Sequence, residues 1–267
     1  MKDTIKALGV FDSGVGGLTV VKALHDLVAV ETLIYLGDTA RVPYGNKSPE
    51  SVMRYSTEIA NFLLQHNVEG IVTACNTASA HALDSLKKSV PLPVFGVIEP
   101  GVEAALEATQ TGNIGIIGTA GTINSQAYQR ELIARAPELK IIALPTPLLV
   151  PLIEEHWLDR DATRLILEEY LEPIVTSNVD TLVLACTHYP VLKPLLTSML
   201  PEIKLVDSAT TCARKVSREM TDRAQEDTST RTEDIRIYLT DMAPHFGKMA
   251  EEFLGMKGRN IQVVSIS

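Results

Sequence analysis

Short apolar runs recur along the chain at 7–11, 32–36, 71–72, 94–98, 112–117, 141–144, 182–184, 203–206, 235–239 and 261–266. Between them the apolar positions repeat every three or four residues, as in Leu18, Val21 and Leu24, or Val52, Tyr55, Ile59 and Leu63. Runs of the first kind suit buried strands, and the longer periodic stretches suit amphipathic helices. Ser48-Pro49-Glu50 opens one such helix with an N-cap, a proline at the first helical position and an acid at the positive end of the dipole. Further helices are expected over about 79–88 and 161–175, and after Asp207-Ser208, where one carries Cys212. Glu99-Pro100-Gly101 reads as a crossover between two halves, and polar 225–234 as the most loop-like stretch. Strands alternating with helices predict an α/β fold with mainly parallel sheets.

The chemically interesting residues gather where a strand gives way to a helix. In such folds ligands bind outside the carboxyl ends of the strands. Two motifs stand out there, Ala74-Cys75-Asn76-Thr77-Ala78-Ser79 and Ala185-Cys186-Thr187-His188-Tyr189-Pro190. Their cysteines lie 111 positions apart (186 minus 75), and the run before Asp12-Ser13-Gly14 is echoed before Gly118-Thr119 and Thr122 at 106 (115 minus 9). Two motif pairs in the same order point to internal duplication. Each half then presents one cysteine to a shared cleft.

A free cysteine is by default a small buried hydrophobe, and that reading suits Cys212. Cys75 and Cys186 differ, because hydroxyl, amide and imidazole side chains follow them at once. The N–H groups beyond the strand ends are expected to lower these two thiols toward neutrality. A metal site built from Cys75, Cys186 and His188 lacks ligand pairs at zinc spacing. A cysteine hydrolase uses only one of the thiols. Paired thiols suit proton transfer at a carbon stereocentre, one removing a proton from one face while the other delivers to the opposite face. His188 stands where it can share the proton of Cys186. Asp12 either caps the helix after the glycine-rich turn or meets a substrate ammonium near Cys75. Asp38 either caps locally or orients Asp12, and Glu154 is either an assisting group or simply solvent-facing. Gly14-Val15-Gly16-Gly17 departs from the dinucleotide fingerprint, with Thr19 where the last glycine belongs. Its N–H groups are read instead as a cradle for a small carboxylate.

Bulk properties narrow the partners. The chain has 267 residues, 45% of them apolar and 21% charged, and a net charge of −9. The acidic balance and lack of a Lys/Arg block argue against nucleic acid or an anionic membrane surface. No apolar stretch reaches the ~20 residues of a membrane helix, and the N-terminus lacks signal-peptide form. Three cysteines fit free thiols in a reducing cytoplasm.

With these motifs the chain resembles the glutamate racemases. The matching stretches are Phe11-Asp12-Ser13-Gly14-Val15-Gly16-Gly17-Leu18, Gly37-Asp38-Thr39, Pro43-Tyr44-Gly45, the two cysteine motifs, Gly118-Thr119, and Leu149-Val150-Pro151-Leu152 with Glu154. The resemblance implies two α/β domains related by pseudo-twofold symmetry, with the active site in the cleft between them: 1–97 with 209–267, and 98–208. It implies cofactor-independent interconversion of L- and D-glutamate, supplying D-glutamate for the bacterial cell wall. Cys75 would act on D-glutamate and Cys186 on L-glutamate, assisted by Asp12, Asp38, Glu154 and His188. Asp12, Ser13, Tyr44, Gly45, Asn76 and Thr77 would hold the substrate from one half, and Thr119, Thr122, Thr187 and His188 from the other. No cofactor is implied, since no lysine belongs to the motif set for pyridoxal phosphate, and no metal. A homodimer is compatible with the family but maps onto no motif. Aspartate racemases usually carry Cys-Thr-Glu where this chain has Cys186-Thr187-His188. A non-catalytic amino-acid-binding module remains the alternative outside the enzymes.

Overall fold

The computed structural model describes residues 4–221, 232, 234–242, 246–255 and 261–266. The expected loop over 225–234 therefore falls largely outside the described residues.

From the N-terminus run β1 (Ile5–Asp12), α1 (Leu18–Leu27), β2 (Val30–Gly37), α2 (Pro49–Leu64), β3 (Ile71–Thr73), α3 (Asn76–Ser89) and β4 (Val94–Gly96). The middle of the chain supplies α4 (Ile98–Ala108), β5 (Asn113–Gly118), α5 (Ala120–Asn124), α6 (Ala127–Arg135), β6 (Lys140–Pro145), α7 (Leu149–Glu154) and α8 (Asp161–Thr176). It ends with β7 (Thr181–Ala185), α9 (Lys193–Met199) and β8 (Lys204–Asp207). Then follow α10 (Ser208–Met220), β9 (Asp234–Leu239), α11 (Phe246–Leu254) and β10 (Ile261–Val263).

Among the described residues the strand pairs are parallel, in two sheets ordered β10-β9-β2-β1-β3-β4 and β6-β5-β7-β8. The orders β2-β1-β3-β4 and β6-β5-β7-β8 superimpose step for step, which is the duplication expected from the motif spacing. In this correspondence β3, which leads to Cys75, matches β7, which leads to Cys186. β1 and β7 are buried along almost their whole length, as strands covered by helices on both faces must be. One apolar cluster runs from Leu24 and Val72 of the first half through Ala209, Cys212 and Ala213 of α10 to Leu184 and Leu196 of the second. The bland reading of Cys212 is right: it is fully buried within this core.

Two boundaries differ from the sequence reading. The strand expected over 94–98 stops at Gly96, and Glu99-Pro100-Gly101 lies in the first turn of α4 rather than in a crossover loop. A proline is tolerated there because the first-turn N–H groups have no intrahelical partner anyway. The helix expected from Ser79 starts at Asn76, with Cys75 itself as its N-cap.

Candidate active site

Cys75 is held at the start of α3, where its sulfur accepts the Ala78 N–H at 3.5 Å and donates to Ser13 Oγ at 3.7 Å. Only 6% of the residue is exposed. The expectation that the helix start would lower this thiol fails. Burial, followed by the charge of Asp12, outweighs the N–H contact and pushes Cys75 up to about 12. Cys75 is therefore a protonated thiol at neutral pH.

Cys186 follows β7 and is equally buried, but its neighbour is different. Its sulfur lies 3.8 Å from His188 Nδ1, and His188 Nε2 lies 2.9 Å from Glu154 Oε1. Burial alone would lower His188, yet its bonds to Cys186 and Glu154 prevail and push it up to about 10. His188 is thus an imidazolium at neutral pH, held between a sulfur and a carboxylate. Glu154, which sequence left open as a solvent-facing residue, is the far end of this relay.

Both thiols line one small cavity of about 40 Å³. Ser13, Tyr44, Gly45, Asn76 and Thr77 line it from the first half. Thr119, Thr187 and His188 line it from the second. Thr122 sits one step back, its hydroxyl 3.1 Å from those of Thr77 and Thr119, which are 2.9 Å from each other. The Asn76 side chain is tied to Tyr128 OH at 2.8 Å and Ser208 Oγ at 3.2 Å, so its orientation is fixed from behind. No lysine lines the cavity. No group of three or more His, Cys, Asp or Glu suited to a metal occurs among the described residues.

Asp12 stands behind the cavity rim. Its Oδ2 accepts the N–H groups of Gly14 at 3.2 Å and Gly17 at 3.0 Å, which is its capping role. Those amides are consequently spent on Asp12 and do not form the carboxylate cradle that the glycine-rich turn suggested. Oδ1 is buried without a hydrogen-bond partner, the one lone-pair side of this carboxylate left for a donor. Burial raises Asp12 above the usual carboxylate range, against the lowering effects of His188 and the backbone amides.

Asp38 does not orient Asp12 through its carboxylate. It accepts from Tyr44 OH, from Arg41 Nε at 2.7 Å and from Thr240 Oγ1 at 2.8 Å; only its backbone N–H meets Asp12, at the carbonyl, at 3.0 Å. It therefore fixes the Tyr44 ring against the cavity. Thr240, Tyr128 and Ser208 were not singled out from sequence, because each works through a partner distant in the chain; Arg41 works through nearby Asp38 but stood in a turn-rich loop with no pattern to mark it.

The halves meet at Gly16. A Cβ there would lie 2.5 Å from Thr187 Oγ1 and closer still to the His188 ring. Gly16→Ala is expected to cost about 1–3 kcal/mol of stability, the range for overpacking a filled site, read from the denaturant midpoint. Unchanged stability and activity would show that the halves do not close here as described.

Comparison with known proteins decides among the chemistries such a site allows. The Asp/Glu/Hydantoin racemase family model matches residues 9–216. The chain belongs to this family. It is 44% identical to a glutamate racemase of Neisseria meningitidis serogroup C, over 98% of this chain and 97% of that one. Among solved structures, glutamate racemase isoform RacE1 from Bacillus anthracis matches with a TM-score of 0.89 at 33% identity, covering 97% of both chains. Glutamate racemase from Francisella tularensis, solved in complex with D-glutamate, matches with a TM-score of 0.87 at 33% identity over 97% of both. The chain is accordingly an amino-acid racemase, an isomerase of the glutamate racemase kind. No helix among the described residues is long and apolar enough to cross a membrane.

Proposed function

We propose that the chain interconverts L- and D-glutamate without a cofactor, using Cys186 on the L face and Cys75 on the D face of Cα. The domains are 1–97 with 209–267, and 98–208, and the cleft between them is the site. The observation that carries this reading is that the two thiols, from equivalent strands of duplicated halves, share one cavity yet have opposite charge environments. Cys186, whose sulfur lies against the His188 imidazolium, is the base for L-glutamate. Cys75, pushed up to about 12, is the resting acid.

For L-glutamate, Cys186 takes the Cα proton, the carbanion develops, and Cys75 hands its proton to the opposite face. The enzyme is then left with the charge on Cys75, beside the elevated Asp12. For D-glutamate the roles run backward. The substrate ammonium is placed at the unpartnered Oδ1 of Asp12. The Thr77 and Thr119 hydroxyls, held from behind by Thr122, and the backbone N–H groups at the strand ends supply donors for the carboxylates. Donors fixed in a dry site stabilise developing charge far better than water does. The product serves as D-glutamate for peptidoglycan in the cytoplasm.

The test is circular dichroism of L-glutamate incubated with purified protein and no added cofactor. The signal is expected to decay to zero, as it is for D-glutamate, while L-aspartate is left unchanged. Persistence of the glutamate signal, or equal turnover of aspartate, would overturn the substrate assignment.

A kinetic asymmetry follows from the same charge placement. The equilibrium constant between enantiomers is one, so kcat/KM must be equal in both directions for any form of the enzyme. D-glutamate requires Cys75 without its proton, a minor form for a thiol pushed up to about 12, and binding to a minor form raises the apparent KM by the reciprocal of its population. KM for D-glutamate is therefore expected above that for L-glutamate, with kcat raised in the same proportion. A lower KM for D-glutamate would place the resting charge on Cys75 instead.

A further inference from the structure

The Cys186 side of the site has a support that acts directly on its proton relay, and it comes from the C-terminal part of the chain. The ring of Phe253, on α11, meets the His188 ring edge-on, with centroids 5.6 Å apart and an interplanar angle of 90°. Phe253 is only 3% exposed, so it is a wall rather than a surface side chain. One residue earlier, Glu252 Oε2 lies 3.1 Å from His156 Nδ1. His156 is two positions beyond Glu154 and closes the end of α7 in a left-handed conformation, φ 56°, its N–H bonded to Ile153 O at 3.0 Å. Helix α11 thus meets the Cys186–His188–Glu154 relay twice, at its central ring and at the turn that ends the helix carrying the carboxylate. It packs on α1 of the first half while bracing a relay that belongs to the second. Around Cys75 the corresponding neighbours are Ser13, Asp12 and the Ala78 amide, supplied by the end of β1 and the first turn of α3.

We propose that α11 is a positioning element for one half-reaction only. Phe253 holds the His188 ring in line between Cys186 and Glu154, and Glu252, through His156, holds the end of α7 from which Glu154 reaches that ring. Neither residue touches the substrate; both act through His188. This inference rests on the assignment of Cys186 as the base for L-glutamate. Its physical content is that an imidazole free to rotate loses one of its two contacts, and misplacement of the order of 1 Å at a reacting group costs up to about a hundredfold in rate.

Weakening one half-reaction cannot show as a difference in kcat/KM between enantiomers, because the equilibrium constant forbids it. It shows in isotope effects. If proton removal by Cys186 becomes slower, that step limits the passage from L-glutamate more completely. The primary deuterium effect on kcat/KM for L-[2-²H]glutamate then rises, and that for D-[2-²H]glutamate falls. Isotope effects do not depend on the fraction of active enzyme, so partial unfolding moves neither.

The experiment compares Phe253→Leu and Glu252→Gln with the parent protein, with His188→Asn as reference. Phe253→Leu keeps an apolar filler and is expected to lower kcat/KM about tenfold in both directions, with the opposed isotope shifts; rate loss of this order belongs to an orientation defect. Glu252→Gln, at a half-exposed position, is expected to give the same pattern with a smaller amplitude. A rate loss in Phe253→Leu with both isotope effects unchanged would reduce Phe253 to packing and overturn the inference. So would parental rates in both variants. If His188→Asn also leaves the isotope effects symmetric, the failure belongs to the assignment of the Cys186 base rather than to α11.

Discussion

Cys75→Ser is expected to reduce racemisation of either enantiomer by at least about a thousandfold, within the 10²–10⁴ range for loss of a positioned acid or base. Serine nearly conserves shape, so the stability change is small, but its hydroxyl is too weak an acid to replace the thiol. The half-reaction left intact is the informative part. In this variant Cys186 can still remove the Cα proton of L-glutamate and return a solvent-derived one to the same face. L-glutamate should therefore exchange its Cα proton with deuterated water without inverting, while D-glutamate should not exchange. Cys186→Ser should show the mirror pattern. The relevant comparison is by NMR integration of the Cα signal beside the optical signal of the same sample.

His188→Asn and Glu154→Gln form the second large effect. His188→Asn removes the positive charge beside Cys186, so the sulfur loses the cation that its contact with the ring supplies. The expected loss in kcat is about a hundredfold for His188→Asn, again within the range for a group that holds a proton in the transition state. Glu154→Gln keeps a hydrogen-bond acceptor but removes the charge, and about tenfold is expected from its more distant position. The pH dependence gives the sign. Burial lowers His188, and the contacts with Cys186 and Glu154 overcome it and carry the group up to about 10. Since the raised value means protonation is favoured in the folded state, the Cys186–His188 pair is intact at neutral pH and is lost as pH rises toward 10. kcat for L-glutamate should decline there in the parent protein. Glu154→Gln removes one of the raising contacts, so the decline should begin at lower pH. A decline at the same or higher pH would show that Glu154 does not support the imidazolium.

Much of this site was readable from the chain because it is made of local motifs. Cys75 and Cys186 each sit immediately after a short apolar run, and their spacing gave the duplicated halves that the strand orders display. Asp12 was readable as a cap, because a carboxylate before Gly-x-Gly-Gly has nearby amides to accept. The charge of Cys75 was not readable. Its helix start favours the thiolate, and only the depth of burial and the approach of Asp12, fixed by strand pairing, decide that the thiol wins. Asp38 was misjudged for a related reason: its partners Tyr44, Arg41 and Thr240 arrive from a loop and from the end of β9, 202 positions away in the last case. Glu154 could not be separated from a solvated side chain until α7 was seen to turn it onto His188. Phe253 left only a helical spacing with Phe246, Met249 and Ala250, the signature of any core-facing stripe. What escapes sequence reading here is mainly the residue that acts through a neighbour distant in the chain, as Thr240 does on Asp38 and Phe253 on His188.

The most direct measurement is Cα proton exchange of each glutamate enantiomer in deuterated water, catalysed separately by Cys75→Ser and Cys186→Ser. Opposite sulfurs serving opposite faces require that the first exchange only L-glutamate and the second only D-glutamate, neither forming the other enantiomer at an appreciable rate. Parental racemisation by either variant, or exchange of both enantiomers by one of them, would contradict it.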